Sequence, residues 1–208
     1  GGIILYQVND SAQQLFTAPF KVSESSTIKA VAYSSDSLKT IQGDLISIKV
    51  LPNLKLTTAT PGGGSVSVSP NQSAFLQGSE VTLQATAEDG WVFMGWEGDV
   101  DEGAESTHTF NIDRDRDIRA IFGTKINVNT VGSGTIELSP AKELYAHSEK
   151  VVIQARPNEG FYFVTFSGAK TSTTSPDILE VIKPNATLGG FFLSLPAGKG
   201  SLTTIADG

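Results

Sequence analysis

The chain has 208 residues, a formal net charge of −7 at pH 7 and no cysteine. The missing thiols exclude disulfides, zinc–thiolate sites and Cys nucleophiles; the acidic balance, without any cluster of Lys or Arg, argues against a phosphate-backbone partner, so no nucleic acid is expected. Hydrophobic residues make up 39% of the chain, enough for packed cores, yet no apolar run approaches the roughly 18–20 residues that span a bilayer, and no transmembrane segment is expected.

The first stretch, GGIILYQVND, lacks the basic start and cleavage site of a signal peptide, and the chain is read as a piece of a longer protein. The best helical pattern, NDSAQQLF (9–16), is short and flanked by turn residues, so it is expected to form a loop or a single turn. Alternation of apolar and polar residues then dominates, in STIKAVAY (26–33), EVTLQATA (80–87) and KINVNTV (125–131), which is the period of half-buried strands. The expected fold class is all-β.

Sliding the chain against itself reveals an internal repeat at an offset of 70 residues. Gly64 then meets Gly134, Ser69-Pro70 meets Ser139-Pro140, Val81 meets Val151, Gly90 meets Gly160, Phe93 meets Phe163, Gly98 meets Gly168 and Phe122 meets Phe192. Chemical class is kept at Phe75/Tyr145, Leu83/Ile153, Trp91/Phe161 and Trp96/Phe166. Residues 54–122 and 125–192 are therefore two copies of one module, following a different module at 1–51, with 193–208 expected as a linker or tail of weak order. Each copy is expected to run as strand, Gly turn, strand ending in Ser-Pro, aromatic-bearing loop, strand, Gly turn, aromatic strand, variable loop and final hairpin. The joints LPN (51–53) and GTK (123–125) are short, which predicts a semi-rigid, elongated array of small β modules.

The pattern GGGSVSVSP…F..GSEVTLQATAEDGWVFMGWEGD…HTFNIDRDRDIRAIF resembles the divergent internalin B-type repeat of bacterial surface and secreted proteins. The second copy is similar but departs at the family's Trp-x-Gly-Asp, which here reads Phe166-Ser167-Gly168-Ala169. This resemblance implies a small, β-grasp-like β-rich fold acting in arrays on exported proteins, and no catalytic residues. Within 1–51, Tyr6, Pro19-Phe20 and the run from Thr27 to Ala32 resemble the C-terminal Ig-like module of chitobiases and β-hexosaminidases. That resemblance implies an Ig-like sandwich serving as an accessory unit, here expected to be truncated at its N-terminus.

Catalytic candidates are thin. His108 and His147 lie at different offsets, without a Ser nucleophile motif beside either, and read as exposed loop or strand residues. The carboxylates Glu97, Asp99, Asp101, Glu102 and Glu105 are dense enough to suggest calcium, but their spacing fails the EF-type loop, so a solvated acidic loop is the favoured reading and no cofactor is expected. DRDRD (113–117) is read as a charged turn without chemistry, and PGGGS (61–65) as a hairpin turn rather than a phosphate cradle, because a strand pattern follows it. Paired carboxylates could serve glycoside hydrolysis across about 5–10 Å, but copy two lacks counterparts of Glu97 and Asp99 and the modules are small, so no enzyme is expected.

The tryptophans decide the binding question. Strict alternation puts Trp91 and Phe93 on one face and Val92, Met94 and Trp96 on the other, which predicts a central strand buried on both sides. Phe161, Phe163 and Phe166 keep the rings in copy two, so Trp96 is read as core, whereas Trp91 stays open between core and saccharide platform. The expected function is a non-catalytic segment of a bacterial cell-surface or secreted multidomain protein, adhesin-like, spacing or presenting neighbouring domains. The alternative is a carbohydrate-binding accessory region of a polysaccharide-active enzyme. Candidate ligand-binding residues are Trp91, Glu97, Asp99, Asp101 and Glu102, with a polysaccharide or a surface protein as partner.

Overall fold

The computed structural model describes residues 2–198 apart from 37, 45 and 102. Regular structure in these residues is strand throughout, and two units are distinguished: Gly1–Leu54 with Leu76–Gly78, and Lys55–Phe75 with Ser79–Gly208. Most of the tail expected at 193–208 lies outside the described residues; Leu193 and Ser194 end a strand.

The first unit is built on β1 (Ile3–Val8), β2 (Gln14–Leu15), β3 (Ser26–Tyr33), β4 (Thr40–Gln42) and β5 (Ile46–Ile48), with the short β6 (Asn53–Leu54) closing the segment. β1 and β3 pair along six residues, β2 flanks β1, and β4 and β5 both pair with β3. The stretch read as a loop or single turn contributes β2: Asn9 turns the chain at φ 52°, and Leu15 comes back opposite Leu5. Tyr6 and Phe20, singled out in the sequence, stack at 4.5 Å with planes 19° apart, and Phe16 meets Tyr6 edge-on. Where an Ig-like sandwich was expected, this unit carries one five-stranded sheet; among its described residues Ser26 alone is buried.

The second unit holds all of copy two and all of copy one except Leu54 and Leu76–Gly78, and each copy is a pair of three-stranded sheets packed face to face. Copy one comprises β7 (Leu56–Ala59), β8 (Gly64–Ser69), β9 (Phe75–Leu76), β10 (Glu80–Ala87), β11 (Val92–Gly98), β12 (Thr107–Asn111) and β13 (Arg116–Thr124). One sheet is β8-β10-β12, all antiparallel; the other is β7-β13-β11, with β7 parallel to β13. Copy two repeats this with β14 (Asn127–Val131), β15 (Gly134–Ser139), β16 (Tyr145–Ala146), β17 (Lys150–Pro157), β18 (Phe161–Gly168), β19 (Asp177–Glu180) and β20 (Thr187–Ser194), in the sheets β15-β17-β19 and β14-β20-β18. The last two strands of each copy fall in different sheets, so the final hairpin expected from sequence is instead a crossover between layers.

Alternation sets the core. Val81, Leu83 and Ala85 of β10 and Ile118, Ala120 and Phe122 of β13 point between the sheets, as do Val151, Ile153 and Ala155 of β17 and Leu188 and Phe192 of β20. The recurring Gly64/Gly134 and Phe122/Phe192 belong together physically: a Cβ on Gly134 would come 2.6 Å from the Phe192 ring, and one on Gly64 2.5 Å from that of Phe122. Each ring lies on bare backbone, which is why both members of the pair recur.

The copies are fused rather than hinged. Residues 123–125 were expected as a joint, but Gly123 and Thr124 continue β13 and pair with Ala146 and Tyr145 of copy two. Thr124 is buried; its hydroxyl donates to the Gly90 carbonyl at 2.8 Å and accepts from the Asn185 N–H at 2.9 Å, satisfying polar groups that packing takes from water. Around it, Ala85, Trp91, Ala120 and Phe122 of copy one share a single cluster with Tyr145, Val151 and Val181 of copy two.

Candidate functional site

The residues singled out in the sequence lie on β11, on the loop that follows it, and at its start. Strict alternation fails on this strand because a β-bulge falls between Phe93 and Gly95. One extra residue, Met94, is inserted, so Phe93 pairs with Phe122 and Trp96 with Ala120, both inward-facing partners. Phe93 and Trp96 therefore share a face, their rings 5.4 Å apart edge to face, while Val92 and Met94 are exposed. β11 is an edge strand with one buried face, not a central one. The same bulge occurs between Phe163 and Thr165 in copy two.

Trp91, whose exposure the sequence left open, is only 8% exposed. Its ring lies 5.0 Å from that of His147, inside the seam between the copies. It is not a platform for a saccharide. Trp96 is partly buried, and its indole N–H donates to the Glu105 carbonyl at 2.7 Å, tying the acidic loop back onto the strand. Beside it a cavity of about 520 Å³ is lined by Phe93, Met94, Trp96, Val100 and Asp101 among others.

The carboxylates do not converge. Asp99 accepts the Asp117 N–H at 3.1 Å through one oxygen and faces Arg114 at 3.6 Å through the other. Asp101 lies 3.7 Å from the Nε2 of His108, whose ring is mostly covered and stacks on Phe110. Glu97 is exposed on β11 across the ladder from Arg119. Glu102 lies outside the described residues. Among the described residues no group of three or more His, Asp or Glu side chains is placed to hold a metal ion.

Sequence reasoning assigned DRDRD no role and missed Arg116. Its side chain is buried beneath the loop, with Nη1 donating to the Asp99 carbonyl at 2.8 Å, Nη2 to Asp113 at 3.0 Å, and its guanidinium 4.6 Å from the Phe110 ring centre. The alternation Arg116, Ile118, Ala120, Phe122, all inward, was the available signal. The hydrogen bond from Arg116 is the main cause that holds the Asp113 carboxyl below the usual Asp value, against a smaller opposing effect of burial. A depressed folded-state value means stabilisation that is complete above the ordinary Asp pKa of about 3.9 and is lost as pH falls through the folded value. Urea titrations should therefore show wild type more stable than Asp113→Asn at about pH 6, with the difference shrinking as pH falls below about 3.9.

The paired sheets, the repeated bulge and the seventy-residue register define one domain type present twice. A family model described as the divergent InlB B-repeat domain matches residues 54–126 and again 124–187, together more than half of the chain. The chain belongs to the divergent InlB B-repeat family. Comparison with curated proteins gave no match. The two matches overlap at 124–126, where the end of β13 passes from the first B-repeat into the second. InlB-type repeats are typical of bacterial surface proteins, and no helix among the described residues is long and apolar enough to cross a membrane.

Proposed function

We propose that the chain is a non-catalytic segment of a bacterial cell-surface or secreted multidomain protein, in which two fused B-repeats space or present neighbouring domains. The observation that carries this reading is the seam: β13 pairs with strands of both B-repeats, and Trp91, Phe122 and Tyr145 pack in one cluster across the boundary. Such a join fixes one repeat against the other, which a spacer needs and an independent binding module does not. The first unit takes the accessory place ahead of them, in line with the resemblance of Tyr6, Pro19-Phe20 and residues 27–32 to the chitobiase C-terminal module.

Two measurements test it. The chain has no cysteine, so Thr109→Cys and Thr171→Cys, both at exposed positions, can carry spin labels on the two B-repeats. One narrow distance distribution is expected, and a broad or multimodal one would remove the spacer reading. Antibody against the chain should label intact bacteria or the culture medium; labelling confined to lysed cells would overturn the surface placement.

The second reading, carbohydrate binding in support of an enzyme elsewhere in the parent chain, has one observation in its favour: the cavity that joins Phe93, Met94 and Trp96 to Asp101. A glycan array including chitin and cell-wall polymers distinguishes the two. The spacer reading expects no binder, and a hit lost in Trp96→Ala would favour the alternative.

A further inference from the structure

The two B-repeats differ most informatively at one buried position. Strand registers align them without ambiguity: Thr57 beside Asp117 corresponds to Asn127 beside Thr187, and Gly98 opposite Ile118 to Gly168 opposite Leu188. Ala186 therefore stands where the first B-repeat has Arg116. On the facing sheet, Val81 opposite Phe110 corresponds to Val151 opposite Leu179. In the first B-repeat the Arg116 side chain and the Phe110 ring fill the space between the layers and stack on each other. In the second, a methyl and an isobutyl group stand in their place.

The consequence is a cavity of about 660 Å³ opening between the layers of the second B-repeat, with Ile126, Leu179, Val181, Pro184 and Ala186 among its walls. Leu179 and Val181 are buried at its base, while Ile182 is 57% exposed. Charge inverts together with volume. Counting back three residues from each equivalent position gives Asp113 in the first B-repeat and Lys183 in the second; Glu80 is likewise replaced by Lys150, and Val100 by Lys170. Lys150, Lys170 and Lys183 all line the cavity, against the single carboxylate of Glu180. Lys170 pairs with Asp177 at 3.5 Å; among the described residues Lys150 and Lys183 have no ion pair. A cationic rim over an apolar floor thus sits in a chain of net charge −7.

We infer that this cavity binds a small amphipathic carboxylate, its apolar body filling the volume that Arg116 and Phe110 occupy in the sister repeat and its anion held by Lys150 and Lys183. Size agrees, since small-molecule sites run from about 300 to 1,000 Å³, mostly apolar with a few polar groups that fix orientation. The apolar base supplies affinity by removing hydrocarbon from water, and the lysines select the anion over a neutral molecule of the same shape.

Octanoate is the probe, titrated against the full chain and followed by amide chemical shifts. Shifts are expected at residues 178–187, with octanol binding about tenfold or more weakly because it lacks the charge. Ala186→Leu fills the cavity without changing charge and should abolish the shifts; Lys150→Glu with Lys183→Glu leaves the volume intact and should weaken octanoate about tenfold or more while leaving octanol unchanged. The melting temperature of each variant establishes that it is folded. Absence of shifts at 178–187 at millimolar octanoate, or binding that survives Ala186→Leu, would overturn the inference, and equal affinity for octanol and octanoate would overturn its charged part.

Discussion

Trp91→Ala is expected to lower the stability of both B-repeats together, by about 3–5 kcal/mol, the cost of truncating a large buried aromatic that its surroundings cannot refill. The ring belongs to the first B-repeat by sequence but packs in a cluster with Tyr145, Val151 and Val181 of the second. A guanidinium titration followed by Trp96 fluorescence reports the first B-repeat, and amide exchange on β17 reports the second. Both signals should move to lower denaturant by the same amount. A shift of the Trp96 signal alone would mean that the seam does not couple the repeats, and the spacer reading would lose its physical basis.

Gly132→Ala should be nearly as damaging, by about 3 kcal/mol or more, although it adds one methyl group. Gly132 has φ +88°, a conformation that L side chains rarely adopt, and a Cβ there would collide with the backbone carbonyl of Phe192, which cannot swing aside as a side chain could. Gly160 isolates the two effects. It has nearly the same φ, +79°, but open space around it. Gly160→Ala should therefore cost only about 1 kcal/mol, the conformational part alone. Thermal melts of the two variants in parallel measure the difference, and equal losses would show that the contact with β20 contributes nothing.

What is legible in the sequence, and what is not, follows from where the physical requirement sits. Gly64 and Phe122, like Gly134 and Phe192, answer a need internal to one copy, so they recur at a fixed offset and announce the repeat. All-β architecture is legible in the same way, from period-two runs such as EVTLQATA, which forms β10. The bulge at Met94 is not, because an inserted residue changes the phase of a strand without changing its composition. Strict alternation places Trp96 on the wrong face for that reason alone. Trp91 escapes for a different one: its burial comes from the neighbouring copy, and nothing within the first repeat encodes that. Arg116 is hidden among alternating charges, and only its phase with Ile118 and Phe122 marks it as inward. The cavity does leave marks at the seventy-residue offset: Arg116 gives way to Ala186, a long side chain to a methyl at an inward position, and Glu80, Val100 and Asp113 give way to Lys150, Lys170 and Lys183.

The parallel pairing of β7 with β13, and of β14 with β20, has a mechanical meaning. In each B-repeat the first and last strands of the chain segment lie side by side in the same layer and run the same way. Tension that pulls a repeat apart by its two ends therefore slides these strands past each other, and the bonds of the pair must break together in shear. Antiparallel terminal strands would instead peel open one bond at a time. For a pull along the chain, this arrangement puts the shear geometry of the sheet in the load path, and the pairing of β13 with β16 joins that path in the first repeat to the second.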